Sequence, residues 1–483
     1  MTDDCCAING NSVTDVTTNG ETPETLLIVG GGAAAFAAAT RAADLGVKVT
    51  MINEGLPLGG TCVNVGCVPS KHLLEAVRRH HEANHPMAGF MQSTSTLDFA
   101  ALKASKDELV ASLRTMNYHD VLDALGNVEL IEGRASFTGP REVEVGGRRY
   151  TGDRVLIATG ARTRLDGVPG LAEAGALTNI SALELEELPS SLAVIGAGPL
   201  GIEFAQIFAR AGSHPSSVHL IGRILPQHEP EIQAEVASRL ANEGITVHAG
   251  RRVVRVEGQS PEIRIHDDEG NVTVVEEILA ATGITPNTDG LGLEEAGIIT
   301  TSAGFIHVDE RQQTNVAGVY AAGDVTDTMA LETVAARQGY NAAHNAITGE
   351  SREIDYDQVP HAVYADPQVA SVGWTEERMM QELGSCLCRT LPMEFVPKAH
   401  AAGDTRGLVK LVIHPESHKI LGAHAVGVHA PEIIHIPLIA IRAGWTIDDL
   451  IETVHAFPTY AEAWKMCAQS FTRDVKAMSC CIV

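Results

Sequence analysis

The chain has 483 residues, of which 45% are hydrophobic, and its formal net charge at pH 7 is −26. This length allows two to four domains, and the excess of acidic residues argues against binding to nucleic acids or to anionic membrane surfaces, which attract positive charge. Nine cysteines, an odd number in so large a chain, argue against a small secreted disulfide-bonded framework.

The first 23 residues are polar and acidic and predict a disordered tail. They lack the basic and apolar segments of a signal peptide, and no apolar run in the sequence reaches the length of a membrane span. We therefore expect a cytoplasmic protein. The pair Cys5-Cys6 in this tail is either incidental or a flexible collector of metal ions.

A short apolar strand at residues 26–29 leads into a glycine motif, an alanine-rich helix and a second strand at residues 47–52. This order predicts a dinucleotide-binding βαβ unit, in which the glycines let a pyrophosphate approach the helix N-terminus. Glu54, which follows the second strand, is the candidate for binding a ribose. The motif residues that we expect to contact the dinucleotide are Gly30, Gly32, Ala34 and Ala35.

Two cysteines five residues apart, Cys62 and Cys67, follow the pair Gly59-Gly60. A helix predicted to begin at Pro69 or Ser70 would place both thiols on its first turn, where free N–H groups and the helix dipole favour thiolates. The spacing alone fits two buried structural cysteines equally well. The nucleotide-binding motifs on either side favour a redox-active pair.

A second glycine motif lies between strands predicted at residues 192–195 and 218–221, and it completes a second βαβ unit. Later strands in both units end in Ala-Thr-Gly, at Gly160 and Gly283. One dinucleotide-binding fold inserted within another, together with a dithiol, predicts an electron relay. The residues predicted to contact the second dinucleotide are Gly196, Gly198, Gly201 and Gly283.

After residue 286 the pattern returns to the first fold, and a strand ends in Gly323-Asp324, where the carboxylate can accept a hydrogen bond from a ribityl hydroxyl. These features together resemble the pyridine nucleotide–disulfide oxidoreductases over nearly the whole chain. The resemblance implies FAD in the first fold, NAD(P)H in the second and a homodimer. It also implies FAD contacts at Gly30, Gly32, Thr61, Ala135, Gly160, Gly323 and Asp324.

The same resemblance assigns roles to the dithiol and its neighbours. It implies that Cys62 is the interchange thiol and that Cys67 lies against the flavin. It implies that Lys71 and Glu203 form an ion pair beside the flavin and the nicotinamide.

The predicted fold is α/β, with two nested Rossmann-like dinucleotide-binding domains and a C-terminal α+β dimerisation domain. Alternating apolar strands followed by helices predict this last domain from about residue 355. The predicted domains are a tail at 1–23, an FAD-binding domain at 24–178 and 286–354, an NAD(P)H-binding domain at 179–285 and an interface domain at 355–483.

The segment before Pro458 distinguishes branches of the family. Members that reduce disulfides carry a His-Pro pair whose imidazole transfers protons, whereas here Phe457 precedes the proline. A phenyl ring can neither donate nor accept the proton that is transferred in thiol–disulfide exchange. His455 is the alternative imidazole, two residues away, and Glu462 remains where the histidine's partner would lie.

The chain ends in Cys480-Cys481-Ile482-Val483. Neighbouring Cα atoms are about 3.8 Å apart, which is below the usual disulfide range, so the pair suits a soft metal ion better than a disulfide. With Phe457, this ending resembles the mercuric reductases, in which a terminal Cys-Cys passes Hg(II) to the partner subunit's inner pair. The resemblance implies NADPH-dependent reduction of Hg(II), presented as thiol complexes, with metal ligands Cys62, Cys67, Cys480 and Cys481.

The sequence is also consistent with two other functions. The first is an FAD-dependent disulfide reductase of the dihydrolipoamide dehydrogenase or thioredoxin/mycothiol reductase type. The second is a metal-storage protein whose cysteines bind ions without turnover.

Gly222 stands where a ribose-binding acid usually ends the strand of the second unit, and Arg223 follows it. Without a carboxylate to repel it, a 2′-phosphate can pair with this arginine, so we expect NADPH to be preferred over NADH. The alternative is a solvated arginine without a coenzyme contact.

Overall fold

The computed structural model describes residues 24–85, 95–212 and 218–477. The predicted tail with Cys5 and Cys6 and the terminal pair Cys480-Cys481 lie outside these ranges. Within them, every helix is too short or too polar to cross a lipid bilayer.

The first part of the chain forms a parallel sheet with helices on it and a small antiparallel sheet. A π-helical turn at Thr115–His119 joins the helix Phe99–Arg114 to the helix Asp120–Leu125. The elements are β1 (Thr25–Val29), α1 (Ala33–Asp44), β2 (Lys48–Asn53), α2 (Gly60–Val65), α3 (Cys67–Asn84), α4 (Phe99–Arg114), α5 (Asp120–Leu125), β3 (Val128–Glu132), β4 (Ser136–Gly139), β5 (Glu142–Val145), β6 (Arg148–Thr151), β7 (Arg154–Ile157), β8 (Ala161–Thr163) and α6 (Asn179–Leu183).

The second part repeats this plan. The strands of its parallel sheet lie in the order Thr246–Ala249, Val218–Gly222, Leu192–Ile195 and Glu277–Ala280, and a three-stranded antiparallel sheet precedes the last of these as β4-β5-β6 precedes β7. The elements are β9 (Leu192–Ile195), α7 (Pro199–Ala211), β10 (Val218–Gly222), α8 (Pro230–Asn242), β11 (Thr246–Ala249), β12 (Val253–Gln259), β13 (Glu262–Asp267), β14 (Val272–Val275), β15 (Glu277–Ala280) and β16 (Ile284–Pro286).

The third part first returns to the first sheet and then forms a sheet of its own. The elements are β17 (Val319–Ala321), α9 (Glu332–Thr348), β18 (His361–Val363), β19 (Val369–Gly373), α10 (Glu376–Leu383), β20 (Leu387–Pro392), α11 (Pro397–Ala402), β21 (Leu408–Ile413), β22 (Ile420–Val426), α12 (Ala430–Ile433), α13 (His435–Ala443), α14 (Ile447–Glu452) and α15 (Glu462–Gln469).

Strand pairing shows that one nucleotide-binding fold interrupts the other. β17 follows the second unit along the chain but pairs with β7, giving the all-parallel order β17-β7-β1-β2-β3. The last sheet is antiparallel, with the order β18-β19-β22-β21-β20, and α15 packs on it through the fully buried Trp464. The predicted α/β class with two nested Rossmann-like units and a C-terminal α+β unit is confirmed.

Small residues bring α1 and α9 together. The face of α1 that contains Ala35, Ala38 and Ala39 is fully buried, and a Cβ atom at Gly339 of α9 would lie only 2.0 Å from the carbonyl oxygen of Ala34. Larger side chains would force the two helices apart. This close packing fixes the N-terminus of α1, at which the first glycine motif ends.

Candidate active site

Cys62 and Cys67 lie at the starts of two consecutive helices, which corrects the prediction of one helix. Cys62 is in the first turn of α2, and Cys67 is the first residue of α3. A Cβ atom at Gly66 would lie 2.9 Å from the carbonyl oxygen of Thr61, so this glycine permits the break between the helices. Pro69 does not mark the helix start, because the first turn needs no N–H donors and tolerates proline.

The two sulfur atoms are hydrogen-bonded to each other and are not equivalent. The Cys62 thiol donates to the sulfur of Cys67, which raises the pKa of Cys62 together with burial and lowers the pKa of Cys67. The Lys71 ammonium also lowers the pKa of Cys67. Cys67 is therefore the more acidic thiol of the pair, and Cys62 is the one that holds its proton more strongly.

Lys71 lies one turn after Cys67 on α3 and joins the two nucleotide-binding units. Its Nζ atom is 2.7 Å from Oε2 of Glu203 on α7, whose side chain is only 4% exposed. The second oxygen of Glu203 accepts a hydrogen bond from the backbone N–H of Tyr364, at 2.9 Å. The carboxylate is thus fixed at both oxygens, and it holds the ammonium near the sulfur of Cys67.

The loop before α1 lies against the start of α2, the helix that carries Cys62. A Cβ atom at Gly30, where φ is +129°, would lie 2.1 Å from the carbonyl oxygen of Ala158, and one at Gly60 would lie 2.7 Å from Cα of Gly32. The Gly59 N–H also donates to the carbonyl of Gly31, at 2.8 Å. Because the N-cap residue Gly32 has no side chain, the first N–H groups of α1 are available to a phosphate.

Asp324 lies just beyond β17, close to this loop. Burial raises the pKa of its carboxyl group, which forms no hydrogen bond with any residue in the described ranges. Gly323 before it has φ of +77°, and its N–H donates to Oε1 of Gln338, at 2.7 Å. A carboxylate without a protein partner beside an open helix N-terminus fits the hydroxyl and phosphate groups of a dinucleotide such as FAD.

The loop before α7 has the same construction. A Cβ atom at Gly196 would lie 2.1 Å from the carbonyl oxygen of Ala281, and one at Gly201 would lie 1.9 Å from the carbonyl oxygen of Gly196. Gly198 is the N-cap residue, so the helix start is again open to a phosphate. Gly160 and Gly283, with φ of +68° and +96°, follow the strands that support the two loops.

The other predicted contact residues occupy different environments. Ala34 and Ala35 are buried in α1, which suits close helix packing, and Ala135 is buried after β3. Thr61 lies on α2 and is exposed, as is Glu54 after β2. Their contacts with a cofactor stay predictions.

Glu332 and Tyr118 adjoin the dithiol and were missed by sequence reasoning. Burial raises the pKa of Glu332 to about 7, and the same carboxyl group is hydrogen-bonded to Cys62. Burial, followed by the charge of Glu332 and of both cysteines, raises the pKa of Tyr118 to about 12. Glu332 looks in the sequence like an ordinary acidic residue at a helix start, which gives no sign of proximity to a cysteine 270 positions earlier.

Replacing Lys71 with methionine is expected to raise the pKa of Cys67 by roughly one pH unit, because a nearby ammonium stabilises a thiolate. The variant should therefore lose its thiolate at a higher pH than the parent as the pH falls. The ultraviolet thiolate absorbance of the reduced enzyme, followed through a pH titration, measures this change. The exposed Lys48→Met is the control, and equal midpoints in both variants would contradict the role of Lys71.

Two models of one protein family match most of the chain. The model of the family described as pyridine nucleotide-disulphide oxidoreductase matches residues 24–368. The model of the dimerisation domain of the same family matches residues 359–468.

Mercuric reductases are among the similar curated proteins. Those of Lysinibacillus sphaericus and Streptomyces lividans are each 40% identical to this chain over 94% of its length, covering 84% and 98% of the two relatives. The mitochondrial dihydrolipoyl dehydrogenase 1 of Arabidopsis thaliana is 35% identical, over 94% of this chain and 91% of that protein. The solved Cu(II) complex of the HOCl-induced flavoprotein disulfide reductase RclA from Escherichia coli is 28% identical, with a TM-score of 0.80 over 91% of this chain and 98% of that one.

Proposed function

The chain belongs to the pyridine nucleotide-disulphide oxidoreductase family, and from this premise we propose that it is a mercuric reductase. In this proposal a nicotinamide coenzyme supplies two electrons through FAD, and Hg(II) is reduced to Hg(0). The observation that carries the proposal is the similarity to mercuric reductases over nearly the full length of this chain.

FAD would be held by the first unit. The open N-terminus of α1 at Gly30–Gly32 suits its pyrophosphate, and Asp324 suits a hydroxyl of its ribityl chain. When bound, FAD would supply two-electron redox chemistry between the coenzyme and the dithiol. Lys71, fixed by Glu203 of the second unit, lowers the pKa of Cys67 and so favours its thiolate.

The dithiol suits Hg(II) as substrate. This soft cation prefers thiolates, and Cys62 and Cys67 together offer two sulfur ligands, of which Cys67 has the lowered pKa. An ion that arrives bound to two thiols can be transferred by stepwise exchange, in which each new sulfur–metal bond replaces an old one. Two electrons then convert the bound Hg(II) to Hg(0), and both sulfurs are left as thiolates.

A disulfide reductase is the second candidate, because a dihydrolipoyl dehydrogenase is also similar to this chain. Disulfide exchange needs a proton for the leaving thiol, whereas Phe457, at the position of the usual imidazole, offers none. The ring nitrogen Nδ1 of His455 is already 3.0 Å from the carbonyl oxygen of Thr453. The phenyl ring at position 457 therefore favours the metal ion over a disulfide as the substrate, while Nε2 of His455 is buried and has no hydrogen-bond partner among the described residues.

The test of the proposed function is oxidation of NADPH by the purified yellow enzyme on addition of Hg(II). Lipoamide, glutathione disulfide and oxidised thioredoxin are the comparison substrates under the same conditions. Rapid Hg(II)-dependent turnover with little turnover of the three disulfides is expected. Faster turnover of any disulfide than of Hg(II) would show that the enzyme is a disulfide reductase. Binding of Hg(II) without NADPH oxidation would show that the protein stores the metal and does not reduce it.

A homodimer is part of the proposal. The dimerisation domain carries exposed apolar side chains at Ile439, Val454 and Phe457, which are 59%, 91% and 56% accessible in the single chain. Large exposed apolar groups favour coverage by another protein surface. We propose that the partner subunit covers this region and that Cys480 and Cys481 serve the partner's dithiol.

We further propose that the coenzyme is NADPH. Arg223 follows β10 directly, is exposed, and forms no ion pair with the described part of the chain. Gly222 before it lies against the second glycine loop, since a Cβ atom there would be 3.1 Å from the backbone nitrogen of Ala197. A guanidinium at this point can pair with a 2′-phosphate.

Replacing Arg223 with alanine is expected to raise the KM for NADPH roughly tenfold to a hundredfold, the range given by the loss of a charge-assisted hydrogen bond. The KM for NADH should hardly change, because NADH has no 2′-phosphate. Steady-state kinetics with both coenzymes measure the difference, with the exposed Arg264→Ala on β13 as control. A parent enzyme that prefers NADH, unchanged by the substitution, would contradict the assignment.

A further inference from the structure

A second cluster of metal-ligating side chains lies in the C-terminal domain, on Glu376, Cys386 and Cys388. One ligand atom from each, a carboxylate oxygen and two Sγ atoms, lies within 4.8 Å of the other two. Among the residues in the described ranges, these three form the one such group of His, Cys, Asp or Glu side chains. The active-site pair Cys62 and Cys67 is not part of it.

Local structure explains why the two thiols converge. Cys386 immediately precedes β20, and Cys388 is the second residue of that strand. Side chains two positions apart on an extended chain point to the same side. β20 is an edge strand of the C-terminal sheet, and Cys386 is exposed, so an ion can reach the pair from solvent.

The carboxylate of Glu376 is oriented by a buried lysine. Glu376 begins α10, and its Oε2 atom is 2.7 Å from Nζ of Lys410, whose side chain is 1% exposed. Lys410 is itself fixed by Glu229, at 2.9 Å. The other carboxylate oxygen, Oε1, accepts a hydrogen bond from the Cys386 thiol, at 3.3 Å. A buried cation thus orients one oxygen of Glu376 toward the thiols, as outer partners orient ligands in metal sites.

We propose that Glu376, Cys386 and Cys388 bind one thiophilic d¹⁰ dication, of the class formed by Zn(II), Cd(II) and Hg(II). Zn–S bonds are about 2.3 Å long and Zn–O bonds about 2.0–2.2 Å, so ligand atoms of one ion lie no more than about 4.6 Å apart. The three ligand atoms, which all lie within 4.8 Å of one another, are close to this range. Two S–H bonds are replaced by two metal–sulfur bonds, two protons are released, and neither the metal nor the sulfur changes oxidation state.

The three ions use the site differently. Zn(II) and Cd(II) require further ligands beyond two sulfurs, and the oriented oxygen of Glu376 supplies one, with solvent completing the shell. Hg(II) is satisfied by two thiolates, so it depends on the cysteines but not on the carboxylate. This inference concerns binding and stands whether or not the enzyme reduces mercury.

The test measures metal stoichiometry in the full-length holoenzyme, oxidised so that Cys62 and Cys67 form a disulfide, and kept under nitrogen. The parent carries alanine at the four cysteines outside the described ranges, which removes competing thiols: Cys5, Cys6, Cys480 and Cys481. Cd(II) is titrated while the metal–thiolate absorbance is recorded, and bound metal is counted by equilibrium dialysis. One ion per chain is expected in this parent and none after Cys386→Ser with Cys388→Ser.

Three further variants separate the roles of the ligands. Glu376→Gln should weaken Cd(II) and Zn(II) binding roughly tenfold or more and leave Hg(II) binding unchanged. The exposed Glu382→Gln on the same helix is the matched control and should change neither. Single replacement of the exposed Cys386 by serine tests the thiol pair with little disturbance of the fold.

Three results would overturn the proposal. The first is an unchanged count of bound Cd(II) in the double serine variant or in Cys386→Ser. The second is equal Cd(II) affinity in Glu376→Gln and Glu382→Gln, which would remove the carboxylate as a ligand. The third is Cd(II) absorbance that lacks the metal–thiolate band, which would place the ion on other groups. NADPH oxidation by Hg(II) is assayed separately, so its absence would count against the proposed function and not against this site.

Discussion

Replacing Cys62 with alanine is expected to lower Hg(II)-dependent NADPH oxidation by about a thousandfold or more, equivalent to about 4 kcal/mol of transition-state stabilisation. A single remaining sulfur cannot hold the metal between two thiolates while it is reduced. FAD should stay bound and reducible by NADPH, because the glycine loop and Asp324 are unchanged. Anaerobic stopped-flow spectroscopy measures flavin reduction and metal turnover separately.

Cys67→Ala is the informative counterpart of this variant, since the pKa values of the two thiols are shifted in opposite directions. It should also stop metal turnover, but in addition it should remove the long-wavelength absorption that a thiolate gives beside oxidised flavin. That band should persist in Cys62→Ala. The exposed Cys386→Ser is the control for loss of a thiol elsewhere. Full Hg(II) turnover in Cys62→Ala, or a persistent band in Cys67→Ala, would refute the assigned roles.

A mixed dimer is expected to regain activity that both of its parent homodimers lack. One subunit carries Cys62→Ala and Cys67→Ala, and the other carries Cys480→Ala and Cys481→Ala. If the terminal pair serves the partner's dithiol, the mixed dimer contains one complete site and should reduce a thiol complex of Hg(II) at about half the rate of the unmodified dimer. Differently tagged subunits allow the mixed dimer to be purified and assayed by NADPH oxidation.

Two control measurements accompany this experiment. Reduction of FAD by NADPH should be normal in the tail variant, because that step involves neither terminal cysteine. A small complex such as mercuric bromide should be reduced better than a thiol complex by the same variant, since it carries no thiols to be exchanged. Absence of activity in a verified mixed dimer would mean that the tail serves its own subunit or has no role.

Several features could be predicted from short stretches of sequence. The strand, glycine loop and helix of each nucleotide-binding unit are local patterns, because apolar runs and glycines at fixed spacing depend on neighbours along the chain. For this reason β1 and β9 lie within a residue of their predicted bounds. The Cys62–Cys67 pair was recognisable for the same reason.

Contacts between distant residues were decided only by the tertiary structure. Gly66 ends α2 and starts α3 because a backbone contact with Thr61 leaves room for glycine alone, and the predicted single helix therefore failed. Glu332 reaches Cys62 because α9 packs against α1, and Glu376 meets Cys386 because the buried Lys410 orients it. Such pairs are set by packing between elements far apart in the chain, whereas periodicity and motif spacing report only the conformation of each element by itself.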